Sequence, residues 1–586
     1  MTWLKLVVNA AWAGVYGAAL IAFLVVFLNT DLASRGLLSG AFVAVTAFAL
    51  IVFLPILALL LPTLFMILRF FAVRRLTAKW MSLKSTIWFG EVTLVGMTAV
   101  VYYNVRWTAA LLPPTTLHAL RVVAASMAGC SLMGCAVAVT AQFQHRERAR
   151  RVRWFAGALL LLPVLLMPLL LPRVAGEVRD GGADGGPVSG SVSRGAPRKL
   201  LLVGIDAASM DQVLPLISAR RLPTLESIAR EGISSRLNSI RPCTPGVAWT
   251  VLLTGTPPWR SGVRGPAEWT LPAGPVRIQI LPRGLGLHAL YRMEKMGLRE
   301  VMEDRRRSAS VHEILAQAGR PVHAIGWDGQ SPSGSVSAVT LREDLALILG
   351  EVAAAGLGED DPRRGILAQA AAEDRVRHQA ALAALSGPPG DGAVVALRLD
   401  GLSRVARHFL RYHDPEAFGD VRPDERSVFG RALAGYYEFL DALIGEQVAT
   451  AGREALVLVV SAYGVEPIPA LERFSRFVLR DASGVDASAS GSWRRGPDGV
   501  LFFRGPGIAR AMRFEEADLV DVTPTLLYAL GLPIGRDMTG DLRRGVFEPG
   551  FLESHAVQYI PSWPLRAMSH RTAPAAGNRE SPQPIR

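Results

Sequence analysis

LVLVVSAYGVEP, residues 456–467, is the stretch on which the fold turns. Leu456 to Val460 form an unbroken apolar run, the pattern of a strand buried on both faces of a sheet. In open α/β sheets the working residues sit just beyond the carboxyl ends of such strands. Here that position holds Ser461, Ala462, Tyr463 and Gly464, with no acid, base or metal ligand among them. A strand that leads to a crevice and offers no chemistry there is the feature to be explained.

The same kind of strand recurs along the second half of the chain. RKLLLVGIDAAS (198–209) runs an apolar segment into Gly204-Ile205-Asp206, and further strands are expected at 321–326, 393–400, 456–460 and 500–503. Helical patterns lie between them, at Asp211–Arg220, Leu222–Arg230 and 428–447. Strands alternating with helices predict an α/β domain with a mostly parallel central sheet. The domain is expected to span 198–550, with a cap or insertion within 263–390, followed by an extension at 551–586 whose Pro/Ser/Arg-rich tail from about 568 has no core-forming composition.

The first third is different in kind. The chain has 586 residues, half of them hydrophobic, and a formal charge of +13. The apolar excess falls in 1–175, where segments 3–29, 38–71, 86–105, 119–143 and 154–172 are each long enough to cross a bilayer core of about 30 Å. Five transmembrane helices are therefore expected. Pro55 and Pro62 leave open whether 38–71 is one kinked span or two pieces. The connection at 72–85 carries Arg74, Arg75, Lys79 and Lys84, and that at 144–153 carries five arginines against Glu147, while the other two connections are nearly uncharged. The positive-inside rule puts the basic loops and the N-terminus in the cytoplasm. An odd number of spans then places the C-terminal domain outside, as a periplasmic domain on a multi-pass inner-membrane protein. Residues 176–197, rich in Gly and Ser, read as a flexible linker with a reach of about 25 Å.

The positive charge is thus a matter of topology, and the bilayer, not nucleic acid, is the expected partner. Cys130, Cys135 and Cys243 show no metal-type spacing and give the outer domain no internal disulfide. Glu91, near the start of the third span, is the one clear intramembrane acid and is read as interfacial.

The order of motifs in the outer domain resembles the alkaline phosphatase superfamily, in its type I phosphodiesterase/nucleotide pyrophosphatase branch. The matching residues are VGIDAAS (203–209), RLPTLESIAREG (221–232), VAWTVLLTGTPPWRSGV (247–263), HAIGWDGQSPSGSVSAV (323–339), RHFLRYHDPEAFG (407–419), LVVSAYGVEP (458–467), GSWRRGPDG (491–499) and VDVTPTLLYALGLPIGRDM (520–538). The likeness covers about 200–545. It implies a two-metal phosphoester hydrolase, in which two zinc-like cations clamp the phosphoryl group and a metal-bound Thr or Ser attacks phosphorus.

Carried over position by position, that site is mostly missing. Asp206 matches the first metal ligand and is the only one present. Ala462 and Tyr463 replace an Asp-His pair, Ser403 and Arg407 replace the Asp and His of an Asp-x-x-x-His, and Trp493 replaces the His of a Gly-x-His. At the nucleophile the direct match is Pro245; a slip of one residue gives Thr244, the weak candidate, and a slip of two gives Cys243. An arginine about 4 Å from a dication is repelled by on the order of 8 kcal/mol at an effective dielectric near 20. Tyr463 and Trp493 are large enough to fill the space of the ions, and Arg407 with Trp493 offers a positive, aromatic lining for an anion. Asp206 is left to bond nearby backbone or to pair with Arg407. Asp400 and His408, eight residues apart, share a face only if one helix joins them.

The expectation is a membrane-anchored pseudoenzyme that binds a phosphorylated lipid, a glycan or another envelope protein, with no cofactor. The alternative is an active phosphodiesterase or phospho-group transferase on a lipid or glycan phosphoester, using Thr244 and two divalent ions.

Overall fold

The computed structural model describes residues 2–33, 40–71, 83–140, 146–176, 199–270, 276–285, 297–300, 306–327, 335–358, 360–387, 393–419, 421–470, 472–473 and 489–565. The linker expected at 176–197, all but Gly176, and the tail expected from 568 lie outside them.

The N-terminal third folds as a helical bundle of α1 (Thr2–Leu28), α2 (Gly40–Phe71), α3 (Leu83–Trp107), α4 (Pro114–Thr140) and α5 (Arg146–Gly176). Among the described residues, three stretches are long and apolar enough to cross a membrane: Ala10–Leu28, Gly40–Thr63 and Pro114–Val137. This is fewer than the five expected. The apolar part of α5, Trp154–Met167, falls short of a full span, and α3 is diluted by polar residues such as Glu91, Thr93 and Asn104. Both nevertheless pack in the same bundle, α3 against α1 and α4, and α5 against α4. Of the 38–71 segment, Gly40–Phe71 forms one helix with Pro55 and Pro62 inside it. Glu91, expected at the interface, is fully buried between helices, and its carboxyl fills the space that a side chain on Gly134 of α4 would need.

The C-terminal part is built on a sheet with seven described strands: β1 (Leu200–Ile205), β2 (Ile233–Asn238), β3 (Val322–Ile325), β4 (Val394–Leu399), β5 (Leu456–Ser461), β6 (Gly499–Arg504) and β7 (Met512–Asp518). Their order is β7-β2-β6-β5-β1-β4-β3, and all neighbours are parallel except β6, which runs antiparallel to β2 and β5. The sheet is mixed, close to the mostly parallel one expected. β1 and β5 are buried along their whole length. Alternate residues of β1 serve opposite layers: Leu200 and Leu202 pack with Trp249 and Leu252, whereas Leu201, Val203 and Ile205 pack with Leu402, Tyr436 and Leu440. Burying each such aliphatic side chain is worth about 1.5–3 kcal/mol, so the central strands are the most firmly fixed part of the domain.

Helices cover both faces. α6 (Met210–Ser218), α7 (Pro223–Glu231), α9 (Pro362–Leu385), α10 (Gly401–His413) and α11 (Ala432–Ala451) lie on one, and α8 (Pro245–Thr254) and α12 (Leu519–Ala529) on the other. Within 263–390 a small antiparallel sheet joins Ala267–Thr270 to Arg277–Ile278 and Gly297–Glu300.

The domain is seated directly on the helical bundle. Asn29, just past α1, donates to the Ile280 carbonyl at 2.8 Å and accepts from the Gln279 and Ile280 amides at 2.9 and 3.0 Å. Asn104 of α3 repeats the device on Arg283, donating to its carbonyl at 3.0 Å and accepting from its amide at 2.8 Å. The buried Arg264 reaches Thr30 at 2.8 Å, and the Arg283 guanidinium stands 3.8 Å from the Trp107 ring centroid. Each satisfied buried hydrogen bond adds about 1 kcal/mol, and losing one partner costs more than that.

Candidate functional site

The site is built at the carboxyl ends of β1, β4 and β5. Asp206 follows β1 directly, and its amide bonds the Leu399 carbonyl at 2.8 Å. The chain then turns sharply, with Ala207 at φ 70, a left-handed conformation that a residue with a Cβ adopts at a cost of roughly 1–2 kcal/mol. Ser461, at the end of β5, ties this turn down by accepting from the Ala208 amide at 3.1 Å and donating to the Tyr463 carbonyl at 2.8 Å.

The Asp206 carboxylate is 4% exposed, and both its oxygens are occupied. Oδ1 accepts from the Trp249 indole at 2.7 Å and from Arg398 Nε at 2.9 Å. Oδ2 accepts from Arg398 Nη2 at 2.8 Å and from the Tyr463 hydroxyl at 3.0 Å. The arginine contact is the fork-on-carboxylate geometry that makes such pairs strong. Burial opposes the charge on Arg398, but the Asp206 carboxylate outweighs it and holds the guanidinium above its ordinary pKa. Burial and the same carboxylate push the Tyr463 phenol well up, so it stays a neutral donor.

Arg398 reaches this place because it lies beside Gly204 in the β1–β4 register. A Cβ on Gly204 would stand 2.9 Å from Trp327 and 3.0 Å from Trp249, so glycine is what lets the two indoles close over the strand. Their rings meet edge to face at 5.2 Å, and the Arg398 guanidinium lies 5.4 Å from one centroid and 5.9 Å from the other. Behind Trp327 the His312 ring packs at 5.0 Å, and burial pushes its pKa down to about 4.

The other positions singled out in the sequence gather around this pair. Ala462 and Tyr463 are completely buried, and Ser403 of α10 lies in hydrogen-bond contact with the Tyr463 phenol. Trp493 sits edge-on to Tyr463 at 6.4 Å, with the Arg407 guanidinium 5.6 Å from its centroid. Arg407 is therefore one aromatic layer out from Asp206, whose ion-pair partner is Arg398 and not Arg407. Asp400 and His408 do not combine either, since Arg377 grips both Asp400 oxygens, one of them at 3.0 Å. Arg377 also bonds Asp374, which further accepts from the Tyr436 hydroxyl at 2.9 Å and the Gly401 amide.

Thr244 stands at the N-terminal boundary of α8 in extended conformation, and its side chain makes no capping hydrogen bond. Cys243 beside it is buried, its amide bonded to the Arg494 carbonyl at 3.1 Å. Burial, with the nearby Asp206 charge adding, pushes its thiol up to about 12, which removes it as a thiolate nucleophile.

Two zinc-like ions do not fit these residues. Zinc takes three or four protein ligands, and the one carboxylate at the expected position already holds a guanidinium, an indole and a phenol. Among the described residues no three His, Cys, Asp or Glu side chains come close enough to share an ion. Sequence reasoning missed Arg398. An arginine inside the otherwise apolar strand VVALRL was the available signal, because a charge there needs a buried partner.

No family model and no curated protein sequence matches this chain. Among solved structures it is similar to human ectonucleotide pyrophosphatase/phosphodiesterase 5, at 11% identity over 58% of this chain and 97% of that one, with a TM-score of 0.32. The murine form of the same protein gives 12% identity, 60% and 100% coverage and a TM-score of 0.35. A Bacteroides thetaiotaomicron sulfatase gives 12% identity, 59% and 73% coverage and a TM-score of 0.35. These are faint likenesses, and what the site can do rests on its own residues.

Proposed function

We propose that this chain is a membrane-anchored pseudoenzyme on an alkaline phosphatase-like scaffold, acting outside the cytoplasm as a module that binds an anionic ligand or partner. The observation that carries it is the ion pair at Asp206. A carboxylate positioned like a metal ligand is neutralised instead by the Arg398 fork, and the surrounding indoles and phenol exclude water from it. Removing solvent strengthens the pair but leaves no coordination site for phosphoryl transfer. Arg407 over Trp493 is the part of the old site best suited to an anion.

The proposed orientation is supported by the seat of the domain. The Asn29 end of α1, the Asn104 end of α3 and hence the start of α4 adjoin the domain, so the arginine-rich start of α5 belongs at the far end of the bundle. With α3 and α5 counted as spans, the basic ends face the cytoplasm.

The test is hydrolysis of a nitrophenyl phosphodiester by the full-length protein with added zinc. The expected rate matches the buffer blank and is unchanged by Asp206→Ala with Thr244→Ala. Turnover that the double substitution abolishes would restore the enzyme.

A further inference from the structure

A groove of ≈ 880 Å³ runs along the helical bundle between α3 and α4, at the end nearest the outer domain. Its volume is in the range of sites that hold a sizeable organic ligand. The floor is apolar and made concave by small side chains, Ala99 on α3 and Ala124, Ala125 and Ala128 on α4, with Val95 at the deep end. Arg106, Arg121 and Tyr102 also line it, and Arg106 bonds the Tyr102 hydroxyl at 3.5 Å.

Both arginines are exposed in the protein alone, and neither forms an ion pair with a described residue. Arg106 is in the last turn of α3, at the end beside the outer domain. Arg121 is deeper, seven residues inside the apolar stretch Pro114–Val137, about 10 Å along the helix. An arginine at that depth is costly unless it reaches the interface or meets an anion. The alanine floor continues roughly another 10 Å below it, to Ala128. Charge at the interface end and a smooth apolar channel beneath it match one kind of molecule, with a phosphate head group above an acyl chain.

We propose that this groove binds an anionic phospholipid from the leaflet on the domain's side, its phosphate between Arg106 and Arg121 and an acyl chain along the alanines. It goes beyond the pseudoenzyme reading and requires only that α3 and α4 lie in a bilayer. The groove also adjoins the domain. Trp107, next to Arg106, carries Arg283, which in turn feels the charge of Arg494 in the Trp493 turn.

The experiment is native mass spectrometry of the full chain released from nanodiscs of equal phosphatidylglycerol and phosphatidylcholine. Phosphatidylglycerol is expected to be retained over phosphatidylcholine by about tenfold, since two arginines near an anionic head group each add attraction. Arg106→Gln with Arg121→Gln should bring that ratio close to one. Ala125→Phe with Ala128→Phe, which leaves the arginines and blocks the channel, should reduce retention of phosphatidylglycerol. Equal retention in the wild type, or a ratio indifferent to the arginine pair, would overturn the proposal. So would displacement of the lipid by inorganic phosphate alone, because a phosphate site without a chain channel would then suffice.

Discussion

Two buried acids flank the end of β4, and they are held in opposite ways. Asp206 has a guanidinium to itself, Arg398, together with two neutral donors on its two oxygens. Asp374 shares Arg377 with Asp400, which takes the better part of that arginine's fork. Burial, and then the like charge of Asp400, push Asp374 up to about 7, although Arg377, Tyr436 and the Gly401 amide pull the other way. The difference teaches how a buried carboxylate is matched without a metal: Asp206 meets a whole guanidinium fork, whereas Asp374 meets one already taken by Asp400. Asp206 thus has donors on both oxygens from its own partners, whereas Asp374 belongs to a shared network that raises its proton affinity.

The largest expected effect comes from breaking the undivided pair. Arg398→Leu should lower the stability of the folded protein by about 3–5 kcal/mol, because it strands a buried carboxylate. Chemical denaturation measures this. Adding Asp206→Leu to it should recover much of the loss, and a double variant as unstable as the single would mean that Arg398 acts through packing on Trp249 and Trp327.

The shared arginine makes a prediction about pH. Asp374 binds its proton more tightly in the folded state than in the unfolded one, so the folded state carries the extra proton between about 4 and about 7. Its contribution therefore falls as pH rises through that window, and Asp374→Asn should flatten the change. His312 supplies the opposite slope. Buried and neutral, with its pKa near 4 in place of 6.5, it makes the folded state lose stability as pH falls through that interval. His312→Phe should remove that acid-side loss from the pH dependence of the thermal midpoint.

The smallest effects belong to the outer layer. Loss of the Arg407–Trp493 contact in Arg407→Gln should cost less than about 1 kcal/mol, since ring and arginine are both only half-buried. Thr244→Ala should cost only a few tenths of a kcal/mol, because no capping bond is lost. A circular-dichroism melt of each variant checks both.

How much of this was legible depended on which residues carried the signal. β1, β4, β5 and β6 were readable within a residue or so, because strands buried on both faces are written as continuous apolar runs. β2 was not. ISSRLN buries only every second residue, and its two large apolar side chains, Ile233 and Leu237, are too few to stand out. β7, MRFEEAD, is an edge strand with a register shift between Phe514 and Glu516, and its charged residues hide it among loops. At the site, Asp206, Ser403, Tyr463 and Trp493, which the sequence singled out, do come together. The arginine that pairs with Asp206 was not legible, since Arg398 meets it only through strand register. The seat of the domain on Asn29 and Asn104 was equally hidden, because single polar residues at helix ends have no pattern to betray them.

Everything proposed for the site comes down to a guanidinium having taken over the work of divalent ions. Zinc counting by plasma mass spectrometry on the purified full-length protein, after dialysis against micromolar zinc, bears on this most directly. The protein should retain far less than one equivalent, with no difference between wild type and Asp206→Asn. Two tightly held equivalents that vanish in Asp206→Asn would mean that Arg398 yields to metal and that the centre is a working one.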